Sequence, residues 1–412
     1  MKKKIRILLI TQYFPPEVAA GANRAYEHAK RWVNFGADVT VVTCFPNYPT
    51  GTIPDRYKAL KYFEETIDGI KVIRTFTYAT PNKGFFKRVL AYFSFMFSSV
   101  IQSRNKIGKQ DVIIASSPPY TVGISGMILG KLKKIPFVFE VRDLWPESII
   151  QLGQVKNRLV IKVLEYIELL MYKNAKMIVG ISDPFVEFIS AKGIIEEKIK
   201  IIKNGVNLEL FQPQAVDVEL KTLLNLKNKF IISYFGTFGL AQGLESILKT
   251  AEILKDNNKI HFLFIGDGAD REKLVNFKET QNLSNVTILK PIPKKDLVRY
   301  YSISDIMLVP LRKLSLFESA LPSKMFEIMA MGKPILHTVD GEARKLLETE
   351  GIGKYVEAEN SEALANTILT IVDNPEWLAE AGEKGRMLVK ERFNRNDLAS
   401  EYLQMLKRIK TI

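Results

Sequence analysis

The sequence predicts an α/β fold of two doubly wound, mostly parallel sheets, each in its own domain. Three observations lead there. The chain has 412 residues, more than a single hydrophobic core usually serves, so two domains are expected. Short continuous apolar runs alternate with helical stretches, the pattern of strands buried on both faces between crossover helices. That alternation runs to about residue 205 and then starts again.

In the first half the apolar runs are Lys4–Ile10, Asp38–Thr43, Ile70–Phe76, Val112–Ala115, Phe137–Val141, Met177–Ile181 and Ile199–Ile202. In the second they are Ile231–Phe235, His261–Ile265, Val286–Leu289, Ile306–Val309 and Pro334–Thr338. Residues 360–412 read as helical. The opening MKKKIRILLI has a basic run but a short apolar one and no cleavage site, so it reads as a first strand. The single cysteine, Cys44, rules out an intramolecular disulfide framework. It lies in DVTVVTC and reads as buried and inert. No uncharged apolar run reaches the length of a membrane span, and a cytoplasmic location is expected.

The charge is uneven. Residues 1–205 hold 31 Lys and Arg against 17 Asp and Glu, and residues 206–412 hold 28 of each. The whole excess of +14 therefore sits in the first half. A basic half suits nucleic acid or an anionic membrane. No nucleic-acid signature accompanies it, so no nucleic-acid partner is expected. The thirteen residues Val89–Ile101 carry no charge and four aromatics, with Lys87, Arg88, Arg104 and Lys106 on the flanks. They read either as a buried helix or as one lying in a membrane interface.

In open parallel sheets ligands bind beyond the carboxyl ends of the strands, so chemistry-bearing residues are sought there. ESALPSKMFEIMAMGKPIL (318–336) reads as loop, helix and strand. Pro322 is expected at the first helical position. Lys324 and Glu327 stand at the front of this helix, whose free amides and dipole attract anions. A diphosphate fits that place; a solvated lysine and a charge–dipole contact are the plain alternatives. Arg142, Asp143 and Glu147 follow the strand in FEVRDLWPES, where a local ion-pair cluster is the plain reading. TQYFPPEVAAGANRAYEHAKRW supplies Tyr13, Phe14 and Gly21 after the first strand. The three histidines, His28, His261 and His337, show no ligand spacing, and there is no Asp-x-Asp, so no metal is expected. His261 reads as structural, and His337, ending the strand behind the Lys324 helix, as a residue able to touch a ligand held there.

These blocks, in this order, resemble the GT-B glycosyltransferases of family 4 over nearly the whole chain. The resemblance implies two Rossmann-like domains, 1–205 for the acceptor and membrane and 206–393 for the nucleotide-sugar donor. It also implies a final helix, about Asn396–Lys410 within 394–412, crossing back onto the first domain. IIKNGVNLELFQP resembles the family's interdomain crossing. In the family two glutamates lie eight positions apart in the 318–336 stretch. Glu327 matches the second, which binds the nucleotide ribose; the first falls on Ser319, with Glu318 the nearest acid. The resemblance assigns the diphosphate to Lys324 and the loop amides near Leu321 and Ser323, with Gly21 approaching it. Thr237 and Gln242 stand where the family often has Arg and Lys. Gly266 and Gly268 match its second glycine turn, and Ile292 its nucleobase segment. Tyr13, Phe14, Arg142, Asp143 and Glu147 would face the acceptor, with Arg142 where relatives often have histidine. Lys324, Glu318, Arg142 and Asp143 are the candidate catalytic groups.

The implied reaction is metal-free, retaining transfer of a sugar, with N-acetylated amino and deoxyamino sugars among the candidates, from a UDP-sugar to a polyprenyl-diphosphate-linked saccharide. The blocks look most like bacterial O-antigen and capsule transferases of the fucosamine type. The enzyme would work at the inner face of the cell membrane, attracted to its anionic lipid. A GT-B UDP-sugar epimerase and a non-catalytic nucleotide-sugar binder in a membrane assembly are the alternatives.

Overall fold

The computed structural model describes residues 4–17, 20–48, 50–81, 85–151, 153–314, 318 and 321–410. The chain divides into two compact units. One runs to Lys203 and is joined by the segment from Arg395; the other is Asn204–Asn394.

The first unit is built on eight strands: β1 (Arg6–Ile10), β2 (Asp38–Cys44), β3 (Tyr62–Ile67), β4 (Ile70–Thr75), β5 (Val112–Ser116), β6 (Phe137–Glu140), β7 (Met177–Gly180) and β8 (Ile199–Ile201). They lie in the order β3-β4-β2-β1-β5-β6-β7-β8. All neighbours are parallel except β3, which pairs antiparallel with β4 at the edge. Its helices are α1 (Ala20–Asn34), α2 (Phe85–Ser103), α3 (Thr121–Lys133), α4 (Glu147–Gln151), α5 (Arg158–Asn174) and α6 (Pro184–Ser190). The pleat explains the continuous apolar runs: Ile7 and Leu9 enter one core while Leu8 and Ile10 enter the core on the opposite face.

The second unit begins with α7 (Val218–Leu223) and carries β9 (Phe230–Thr237), β10 (Ile260–Asp267), β11 (Val286–Leu289), β12 (Ile306–Val309), β13 (Ile335–His337) and β14 (Gly353–Tyr355). The order is β11-β10-β9-β12-β13-β14, parallel throughout. Between and after them come α8 (Leu244–Ile253), α9 (Arg271–Thr280), α10 (Lys294–Ile303), α11 (Ser323–Ala330), α12 (Glu342–Thr349), α13 (Ser361–Val372) and α14 (Pro375–Arg392). Ile231 and Phe235 feed one core, Ile232 and Tyr234 the other.

The last helix, α15 (Arg395–Lys410), packs on α1 in the first unit. Tyr402, Leu403 and Leu406 complete a core with Trp32, and the Trp32 indole N–H donates to the Ala399 carbonyl at 3.0 Å. Among the described residues, no helix is long and apolar enough to cross a membrane. Cys44 is buried at the end of β2, and burial pushes its thiol well up.

Candidate functional site

In the second unit the features singled out from the sequence converge on one lysine. β9 ends in YFGT, and α11 starts beside it. Pro322 takes the capping position rather than the first helical one. The amides of Ser323 and Lys324 therefore open the helix with no carbonyl a turn back to bond, while the Met325 amide donates to the Pro322 carbonyl. The Lys324 ammonium donates to the Tyr234 hydroxyl at 2.9 Å and lies 4.0 Å from the centre of that ring. Tyr234 is fully buried and donates its own proton to the Thr237 carbonyl at 2.7 Å. Gly236 makes the space: a Cβ there would stand 2.8 Å from Lys324 Nζ.

Lys324 is half-buried and has no carboxylate in ion-pair reach among the described residues. Burial lowers its pKa to about 7, with the Glu327 charge opposing. A phenol oxygen and a π face hold an ammonium in place but bring no negative charge to it. The seat thus presents a positioned lysine with no ion-pair partner beside a helix N-terminus, which is the physics of an anion site. Glu327 is one turn further along α11, and its carboxylate accepts from Lys294 at the start of α10.

Glu318 is exposed, and its carbonyl accepts from the Glu342 amide at 2.8 Å. Gly341 lets that approach happen, since a Cβ there would be 2.1 Å from the Glu318 carbonyl oxygen. Ser319 lies outside the described residues. Thr237 is exposed and Gln242 half-buried in the turn Leu240–Gln242. Ile292 and Leu321 are half-buried and pack on the core of this unit, so what they can offer a ligand is backbone.

In the first unit a separate cluster forms beyond the carboxyl end of β6. Arg24 and Glu140 make a buried ion pair at 3.0 Å, and Ser116 adds a hydrogen bond to the same carboxylate. Burial alone would raise the Glu140 pKa, but Arg24, Arg142 and these hydrogen bonds hold it low. The Arg142 amide donates to Ser117 Oγ at 3.1 Å, and its guanidinium to the Gly21 carbonyl at 3.4 Å. Burial and the like charges of Arg24 and Arg395 bring Arg142 down to about 10 against the pull of Glu140, and its buried Nε has no partner among the described residues. Beside it, burial raises the Asp143 carboxyl, with nearby Ser148 and the Arg142 charge opposing. Glu147 is half-buried and opens α4. Tyr13 meets Tyr48 edge-on at 5.3 Å, and burial raises its phenol, with Tyr92 adjoining.

Comparison with known proteins identifies what carries these features. The family described as glycosyl transferases group 1 matches residues 217–387, and the glycosyl transferase 4-like domain matches residues 20–205. The chain is a GT-B glycosyltransferase. A relative described as a putative colanic acid biosynthesis glycosyl transferase, WcaI of Escherichia coli, is 28% identical over 371 residues, covering 87% of this chain and 90% of the relative. The N,N'-diacetylbacillosaminyl-diphospho-undecaprenol alpha-1,3-N-acetylgalactosaminyltransferase of Campylobacter jejuni is 24% identical, covering 69% of this chain and 74% of its own. Among solved structures, Anabaena HepE in complex with UDP and glucose superposes with a TM-score of 0.73 at 17% identity, covering 98% and 99% of the two chains.

Several expectations for the transferase need correction. Phe14 is fully buried in the core under α1, with Tyr26 at 5.9 Å, so it cannot face an acceptor. Gly266 and Gly268 are required by the packing of the chain itself. A Cβ on Gly266 would fall 1.8 Å from the Gly236 carbonyl oxygen, and one on Gly268 2.3 Å from that of Phe238. Gly21 accepts from the Arg142 guanidinium through its carbonyl, and a Cβ at that position would meet Arg142 Nη1 at an ordinary contact distance of 3.4 Å. His337 is buried, bonds the Val339 carbonyl at 3.1 Å and is lowered to about 4 by burial. Its Nε2 is buried without a partner among the described residues. His261 is likewise buried, bonding Thr287 at 2.9 Å. Sequence reasoning missed Tyr234, Gly236 and Lys294, and in the first unit Arg24 and Glu140.

Proposed function

We propose that this transferase moves a sugar from a UDP-sugar to a saccharide carried on a polyprenyl diphosphate, in the synthesis of a bacterial surface polysaccharide, with retention of anomeric configuration. The observation that carries it is Lys324 at the opening of α11, with no ion-pair partner among the described residues. The anomeric carbon–oxygen bond to the diphosphate breaks as the acceptor hydroxyl oxygen bonds the same carbon from the same face. The acceptor's proton passes to the departing phosphate oxygen, so no side-chain base is needed. Negative charge grows on the diphosphate during that step. Lys324 and the first α11 amides meet it where it develops, which is where electrostatic stabilisation accelerates a reaction. Glu327, oriented by Lys294, accepts from the ribose hydroxyls. No metal is required in this reading.

The acceptor side belongs to the first unit, and α2 suits a lipid-borne substrate. One face of α2 packs inward through Ala91, Phe95 and Met96, while Phe86, Leu90, Phe93, Phe97 and Ile101 stand 40–85% exposed. At about 100° per residue these five share one stripe. From Gly69 to Gln110 the sequence holds no Asp or Glu. Attraction to anionic lipid of about 1 kcal/mol per Lys or Arg near the surface, with shallow insertion of the stripe, would hold the enzyme at the bilayer. UDP-sugars incubated with and without a lipid-linked acceptor test the reaction. Product that appears only with acceptor, with UDP released, is expected; a UDP-sugar converted to its epimer without acceptor refutes it.

A further inference from the structure

The α2 stripe has a neighbour that nothing in the proposed reaction uses. On α5, Leu159 is 72%, Val163 50% and Tyr166 67% exposed. Their spacing puts them within an arc of about 60° on the helix. The opposite side of α5 is committed to the fold: Met171 and Tyr172 are buried in the core and Leu164 and Ile167 pack on it. The outward face carries Lys162 and Arg158, with Lys156 just before the helix, all exposed. Between Glu147 and Glu165 the sequence has no acid.

Two ties link α5 to α2. The first turn of α3 bridges the helices, since the Tyr120 hydroxyl donates to the Leu164 carbonyl at 2.6 Å and the Thr121 hydroxyl to the Tyr92 carbonyl at 3.2 Å. At the N-terminal end, Arg88 of α2 donates to Gln154, four residues before α5, at 3.4 Å. Helices that follow parallel strands start at the carboxyl edge of the sheet. Both apolar faces therefore begin at the edge where Arg142 and Asp143 sit.

We infer that α5 is a second membrane-inserting element, and that α2 and α5 together form one basic-rimmed apolar surface that docks on an anionic lipid bilayer. Exposed apolar area of this kind marks an interaction site. The positive rim chooses the occupant, because exposed Lys and Arg beside apolar side chains match phosphate headgroups above acyl chains. The inference rests on the membrane reading of α2 and extends it: insertion through two helices fixes the tilt of the first unit relative to the bilayer, which a single helix leaves free to roll about its own axis.

Phosphatidylglycerol-containing vesicles and the full chain test this. Leu159→Ser/Val163→Ser/Tyr166→Ser should lower the partition coefficient at least about tenfold, for three apolar side chains no longer inserted, with UDP affinity and thermal melting unchanged. Leu90→Ser/Phe93→Ser/Phe97→Ser, run in parallel, reports α2 alone. If the α2 variant loses binding and the α5 variant partitions like wild type, the α5 inference is wrong while the α2 reading stands. If wild type does not partition, both fail. If the α5 variant changes oligomeric mass by light scattering but not partition, the face meets a second copy and the inference is overturned. Tyr166→Trp gives an independent readout. Its emission should shift blue and be quenched by brominated lipid, and unchanged emission on vesicle addition counts against insertion.

Discussion

Raising the pH from 7 to 9 should weaken UDP binding by a calculable factor. Free Lys324 titrates at about 7 because burial costs its charged form more than Glu327 returns. A bound diphosphate favours the ammonium and returns its pKa toward the ordinary value of about 10.4. Only the protonated lysine is binding-competent, and the apparent Kd scales with the inverse of that fraction. The fraction falls from about one half at pH 7 to about one hundredth at pH 9, so the Kd should rise about fiftyfold, or ~2.3 kcal/mol. Over this range the terminal phosphate of UDP, with a pKa of about 6, is already fully charged, and His261 and His337, lowered to about 4, stay neutral. Calorimetry at pH 7, 8 and 9 measures the slope. Lys324→Arg should flatten it, because a guanidinium stays charged throughout. Tyr234→Phe keeps the ring face but removes the hydroxyl that accepts from Lys324. Losing a hydrogen bond to a charged group, about 1.5–3 kcal/mol, should move the onset of weakening one to two pH units lower. A wild-type Kd that is flat from pH 7 to 9 would refute the argument.

The same linkage bears on stability. A lysine whose folded pKa is depressed binds its proton more tightly in the unfolded chain, so this group's destabilisation is full below about pH 7 and disappears as pH rises toward its unfolded value; Lys324→Met should therefore raise the melting temperature at pH 6 more than at pH 9. Glu327→Gln should weaken UDP binding at least about tenfold, from charged hydrogen bonds worth about 1.5–3 kcal/mol each, and an unchanged affinity removes Glu327 from the site. Gly266→Ala puts a methyl group onto the Gly236 carbonyl and should cost more than about 3 kcal/mol of stability by denaturant melting; a stable variant deficient only in donor binding would restore the glycine to a ligand role. Activity should survive EDTA, and loss restored by magnesium or manganese would overturn the metal-free reaction.

The architecture was legible because apolar runs buried on two faces leave a strong local mark. The edge strand β3 escaped because YFEETI breaks its apolar run with two adjacent glutamates and is only partly buried, and β14 because three residues hold too little pattern. The site was legible where a residue's role is local: Lys324 and Glu327 stand on one short helix. Its support was not, since Tyr234 lies ninety residues from Lys324 and meets it only through folding. Glycine was ambiguous in principle. Gly266 and Gly268 make room for their own neighbouring loop, and the same letter would mark room for a phosphate. Phe14 shows the converse, an aromatic in a glycine-bearing loop that turns inward because α1 offers it a core.

The return of α15 to α1 sets a timetable for biosynthesis. Trp32 and His28 stay without their Tyr402 packing until the last helix leaves the ribosome. The intervening unit Asn204–Asn394 is translated first, and at about 5–20 residues per second that takes on the order of 10–40 seconds. During that interval the first unit carries an uncovered apolar surface, and the central unit can fold whole. A nascent-chain arrest before Arg395 should therefore yield a protease-resistant Asn204–Asn394 fragment attached to a protease-sensitive N-terminal unit, an order of maturation opposite to the order of synthesis.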